Sequence, residues 1–214
     1  FPQMHKCPQK SLLFRGGKIV LEGLRIGLGI TASHCTYEEV IPMIKQFTDV
    51  GATVVPIITF SVLTAATRFG TGEERVEKIE AASGNKVVSK IVEAEPFGPT
   101  NPLDCMVIAP MTGNSISKLA NAQTDSPVLM AAKATLRNGK PVVLGISTND
   151  ALGLNGTNIM KLLTTKNIYF IPFGQDNPYK KPNSLIADFT KIVPTVEHAI
   201  NAKQIQPLLI AYQL

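Results

Sequence analysis

The groups that could do chemistry in this chain gather in two short polar runs, each at the end of an apolar stretch. Thr31-Ala32-Ser33-His34 follows the strand-like Arg25–Ile30, and Thr112-Gly113-Asn114-Ser115 follows Cys105–Ala109. Hydroxyls, an amide and backbone N–H groups at a helix start can hold a phosphate, a carboxylate or the edge of a flat heteroaromatic ring. His34 adds an imidazole, which titrates near neutral pH and suits a general base. Each residue also has a local reading. Thr31 and Ser33 can cap a helix, His34 can be a polar surface residue, and Asn114 or Ser115 can be an ordinary N-cap. Such a cap explains one or two residues of the second run, not four in succession.

The first run lies beside the letters Gly27-x-Gly29-x-x-Ala32, the spacing of a dinucleotide fingerprint. A NAD-type turn needs its glycines in the turn, with a helix starting at once to meet the pyrophosphate. Here both glycines fall inside the strand, and the helix start comes later, at Thr36-x-x-Glu39, a capping-box pattern. The second strand ends "VPIITFSV", with Thr59 and Ser61 but no acid to hold a ribose diol. The spacing argues against NAD and for a single-phosphate loop or a plain turn.

The elements that must position these runs alternate. Arg25–Ile30, Thr53–Thr59, Lys86–Val92, Cys105–Ala109, Pro141–Ile146 and Asn167–Ile171 are short and branched-rich, as buried parallel strands are. Between them the pattern predicts helices over Thr36–Val50, Glu73–Ala82, Ser115–Gln123, Pro127–Arg137 and Thr157–Thr165. Pro42 implies that the first is kinked or begins late. A polar loop, "GQDNPYKKPNS", precedes a last helical pattern from Leu185 to about Lys203, interrupted by Pro194. This alternation gives an α/β fold: a doubly wound, mainly parallel six-stranded sheet in a single domain. Ligands of such sheets bind beyond the carboxyl ends of the strands.

The net charge of +5 suggests nucleic acid at first sight. Lys6, Lys10, Arg15 and Lys18 supply four of those charges, which leaves +1 for residues 19–214. A nearly neutral body argues against nucleic acid, whose binders usually concentrate basic residues on the domain itself. Residues 1–17 are set aside as a disordered or extraneous leader, and 18–214 as the domain. No apolar run is long enough to span a membrane. Cys7, Cys35 and Cys105 show neither disulfide nor metal spacing, so a reducing cytoplasm and no metal are expected.

Ala109-Pro110-x-Thr112-x-Asn114-Ser115-x-x-Lys118-Leu119-Ala120 resembles the Pro-Ala-Ser/Thr-Ala-Asn-Thr-x-x-Lys segment of homo-oligomeric flavin-containing cysteine decarboxylase-like flavoproteins. Ile30-Thr31-Ala32-Ser33 is similar to that family's Thr-Gly-Ser phosphate loop, and the likeness runs from about Gly17 to Leu209. The resemblance implies a Rossmann-like sheet and FMN, with Thr31, Ala32 and Ser33 at the phosphate. It places Ser61 near the ring or ribityl chain, Thr112, Asn114 and Ser115 at the ring edge, and Asn149 completing the pocket.

Decarboxylating members carry a His before the fourth strand and a Pro-x-Met-Asn motif after the fifth. This chain has "EAEPFGPTNP" and "GISTNDALGLN" there, so cysteine decarboxylation is the weaker expectation. The resemblance is instead to a branch acting as one subunit of a two-subunit oxidoreductase. That branch implies a partner subunit carrying NADP, a small dicarboxylate substrate, and assembly as trimers or multiples of them. Arg68 and Lys118 are then candidate counter-charges, each otherwise a solvated cation, and His34 the candidate base. A flavodoxin-like scaffold without catalysis is the competing class.

Overall fold

The computed structural model describes residues 14–15, 18–19, 21–66 and 70–211. Expectations on Arg68 and on most of the leader lie outside these residues. The elements begin with β1 (Phe14–Arg15) and β2 (Lys18–Ile19), an antiparallel pair, and β3 (Arg25–Ile30). A 3-10 turn (His34–Glu39) leads into α1 (Val40–Asp49), followed by β4 (Thr53–Ile58), α2 (Phe60–Thr64), α3 (Gly72–Ser83) and α4 (Ile91–Ala94). Then come β5 (Cys105–Met111), α5 (Gly113–Ala120), α6 (Pro127–Arg137), β6 (Val142–Thr148) and α7 (Gly156–Leu163). The chain closes with β7 (Ile168–Phe170), β8 (Phe173–Asn177), β9 (Lys181–Ala187) and α8 (Ile192–Ile200).

Strands β4, β3, β5, β6 and β7 lie side by side and parallel, so the order reverses between β3 and β5. Strand β6 then changes partner: Val142–Leu144 pair with β7, whereas Ser147 and Thr148 pair antiparallel with β9. Strand β8 completes the edge against β9, making seven strands rather than six. Ile26, Leu28, Met106, Val107, Ile108 and Leu144 are fully buried at the centre. Helix α1 turns Val40, Met43, Ile44 and Phe47 inward, at the i, i+3, i+4, i+7 spacing of an apolar helix face.

Gly27 and Gly29 stand mid-strand, as expected, and serve packing. A Cβ at Gly29 would fall 2.7 Å from Met106 Cε and 2.8 Å from Val128 Cγ1 of α6. The glycine pair thus lets α6 and the Met106 side chain close onto the sheet. The fingerprint letters reflect core geometry.

Four expectations are corrected. Lys86–Val92 is no strand: Val88 makes one bridge to Ile57, and Glu93 then accepts the N–H groups of Ser89 and Lys90 (3.0 and 3.1 Å) to start α4. The Thr36 capping box does not form; Thr36 Oγ1 donates to Ser33 O (3.0 Å), and α1 starts late, with Pro42 in its first turn. A capping box forms instead at Thr71 and Glu74, heading α3. "GQDNPYKKPNS" is a hairpin, and Leu185 belongs to β9, the last helix beginning at Ile192. Among the described residues no helix is long and apolar enough to cross a membrane, and no cluster of His, Cys, Asp and Glu could hold a metal.

Candidate functional site

The carboxyl ends of β3, β5 and β6 open into one cleft at the point where strand order reverses. It measures about 630 Å³, within the range of roughly 300–1,000 Å³ typical of small-molecule sites. Ala32, Ser33 and Thr36 line it from β3, Thr112 from β5, and Ser147, Thr148 and Asn149 from β6. Asp176, Lys181, Ser184, Leu185 and Ile186 form its remaining wall from the β8–β9 hairpin.

The floor is knitted by its own hydroxyls. Thr31, 1% exposed, donates through Oγ1 to Pro110 O (2.8 Å) and accepts the Thr112 N–H (3.0 Å). The Ser33 N–H donates back to Thr31 O (2.8 Å), and Ser33 Oγ lies 2.9 Å from Ser147 Oγ. Thr112 Oγ1 donates to Ser115 Oγ (3.2 Å). Each loop is thereby held against the next before any guest arrives.

A second network surrounds Gly113, the first residue of α5. Thr148 Oγ1 donates to Asp150 Oδ1 (2.5 Å), Asn155 Nδ2 to Asp150 Oδ2 (2.7 Å), and Asn158 Nδ2 to Asn155 Oδ1 (2.9 Å). A Cβ at Gly113 would strike this group, 2.7 Å from both Thr148 Oγ1 and Asn155 Nδ2 and closer still to the Asp150 carboxylate. The start of α5 therefore already faces an anion supplied by the chain, where a helix N-terminus favours one.

The hairpin wall is charged at its tip. Lys181 Nζ donates to Asp176 Oδ2 (2.8 Å), Gln175 Nε2 to Pro182 O (3.0 Å), and the Lys180 N–H to Asn177 Oδ1 (2.9 Å). At its base the Leu152 N–H donates to Asn183 O (3.1 Å), and Phe173 pairs with Leu209.

Of the residues singled out from sequence, Ala32, Ser33, Thr112 and Asn149 line the cleft. Thr31 and Ser115 are buried in its floor, with their hydroxyls turned to other protein groups. Asn114 and Ser61 are exposed and do not line it. Lys118 does not line the cleft and pairs with Asp125 (2.6 Å). His34 opens the 3-10 turn directly after Ser33. Sequence reasoning missed Ser147 and Thr148, although they end a strand, the position that should have flagged them. It also missed the hairpin residues, which carry no motif.

The residues present fit a flat polar guest such as FMN. Neutral hydroxyls, the Asn149 amide and apolar Leu185 and Ile186 share its lining. Thr59 Oγ1, at the end of β4 beside Ile30, is buried without a hydrogen-bond partner in the chain. A smaller depression of about 390 Å³ lies elsewhere, between Tyr37, Ile41, Arg75 and Ile79. There the Arg75 guanidinium, 4.8 Å from the Tyr37 ring centroid, grips the carbonyls of Val62, Ala65 and Gly70. Burial pushes the Tyr37 phenol up, against the opposing pull of Arg75. This second hollow is a structural clasp on the chain between α2 and α3.

The flavoprotein family model matches residues 18–201. The chain is 63% identical over 190 residues to the B subunit of dipicolinate synthase from Bacillus subtilis (strain 168), covering 89% of this chain and 95% of that protein. The crystal structure of the dipicolinate synthase B subunit from Bacillus halodurans C is 60% identical and superposes with a TM-score of 0.83, covering 89% of this chain and 98% of that one. An FMN-dependent cysteine decarboxylase, SpaF, is 19% identical with a TM-score of 0.60 over 85% of this chain and 98% of its own, a likeness of fold alone.

Proposed function

The chain belongs to the flavoprotein family, and on that premise we propose that it is the B subunit of a dipicolinate synthase. It acts with an A subunit to oxidise dihydrodipicolinate, or its hydrated precursor, to dipicolinate in the mother-cell cytoplasm of a sporulating bacterium. The observation that carries this reading is the near full-length likeness to the Bacillus subtilis protein. The cleft at the switch point, lined mainly by hydroxyls and an amide, supports it as the place where the chemistry occurs.

In this reading Ala32 and Ser33 hold a phosphate, while Thr112 and Asn149 meet a ring edge. Thr31 and Ser115 act one step behind, fixing the loops that carry those donors. FMN bound here would supply the hydride acceptor; alternatively, oxidised NADP on the A subunit takes the hydride directly while this chain shapes the site. His34, directly after Ser33, takes the proton as the substrate ring loses hydride and proton to become a pyridine. Residues 18–214 form the domain that does this, assembled as a homo-oligomer alongside the A subunit.

The test is a titration of the full chain with FMN and then with dipicolinate, followed by turnover with the A subunit and NADP. Saturable binding of both, with turnover only in the mixture, is the expected result. A chain that stays colourless and binds neither is a scaffold. In the reconstituted complex His34→Ala lowers turnover at saturating substrate by on the order of a hundredfold; unchanged turnover removes His34 from the chemistry.

A further inference from the structure

Resting on the function proposed above, we infer that Lys181, on the β8–β9 hairpin, binds a carboxylate of the ring substrate, with Asp176 holding its ammonium over the cleft. A dianionic guest needs a cationic contact, and the other sources in the described part of the site are already engaged. The start of α5 faces the Asp150 carboxylate, fixed by Thr148 and Asn155. Lys118, paired with Asp125, does not line the cleft. Thr31, Ser33 and Thr112 exchange hydrogen bonds among themselves and with Pro110, Ser147 and Ser115.

Lys181 is the one Lys or Arg among the described residues lining the cleft. Its ion pair with Asp176 lies at the rim, the two side chains 56% and 34% exposed. Such a pair contributes little energy, so a carboxylate entering the cleft competes readily for the ammonium. The incoming carboxylate makes a charge-assisted hydrogen bond to the ammonium in place of the exposed one from Asp176. Asp176 lies within the Gln175/Asn177 irregularity and Lys181 pairs with Asn177 across the hairpin, and both residues line the cleft.

The experiment measures binding of pyridine-2,6-dicarboxylate and of the uncharged pyridine-2,6-dicarboxamide to the full chain. Lys181→Ala weakens the diacid about tenfold and leaves the diamide unchanged. Lys181→Arg retains most of the affinity, and Lys180→Ala, the neighbouring charge on the same hairpin, changes neither ligand. Wild-type binding of the diacid with an unaltered Lys181→Ala variant overturns this inference alone. A wild-type chain that takes FMN but not the diacid overturns both this inference and the placing of substrate in the cleft.

Discussion

The floor and the hairpin wall of the cleft are built on opposite terms. The floor is made of buried and half-buried hydroxyls bonded within the chain: Thr31 to the Pro110 and Thr112 backbone, Ser33 to Ser147, Thr112 to Ser115. The wall carries Asp176 and Lys181 at a partly exposed rim, on a hairpin tied to the sheet only at its base. The hydroxyls give the cleft its shape; in the inference drawn above, the rim charge selects the guest, so shape and selection fall to different elements.

That contrast predicts large stability effects in the floor and small ones in the wall. Met106, fully buried between β3 and β6, is the severest case: Met106→Ala leaves a cavity and lowers unfolding free energy by about 3 kcal/mol, read by urea denaturation. Next, Thr31→Val keeps the shape but strands the Thr112 N–H and leaves Pro110 O with the Thr31 N–H alone, costing about 2 kcal/mol and loosening ligand binding as well. A loss under half that size would show that the two loops are held by something else.

Cys105 gives a third test. Its complete burial, with Asp104 nearby, pushes the thiol well above the ordinary range. The folded state therefore keeps the proton that the unfolded thiol releases above about pH 8.5. Stability is present in full below that pH and falls by about 1.4 kcal/mol per unit above it. Cys105→Ala removes that component of the slope between about pH 8.5 and 10, measured by denaturation at each pH. An unchanged slope would place the thiol in contact with water.

The smallest effect belongs to the wall. Asp176→Asn shifts unfolding free energy by less than about 1 kcal/mol, because its pair with Lys181 is exposed. The same change removes the carboxylate that competes for the ammonium and tightens diacid binding. A large stability loss there would erase the contrast between wall and floor.

What the sequence made legible follows the same division. Helix α6 runs Pro127–Arg137 as its Pro start and Asn138-Gly139 end require, and Ser126 caps it by accepting the Leu129 N–H. The strands of the parallel core announced themselves through continuous branched runs. Lys86–Val92 misled because Val87 and Val88 look like a strand; Glu93 turns the chain after one bridge, a contact that composition does not display. The hairpin was hidden because most of its residues are polar and partly exposed, so neither alternation nor a Gly-based turn marked it. Lys181 could not be placed without it.

Strand β6 shares its length between β7 and β9, and this separates what can be altered from what cannot. Its first half belongs to the load-carrying sheet. Its last two residues serve as the anchor for the hairpin, whose five residues from Asn177 to Lys181 take no part in the sheet beyond their own pairing. Exchange of that tip is therefore expected to change which acid is bound while leaving the unfolding free energy of the scaffold beneath nearly unchanged.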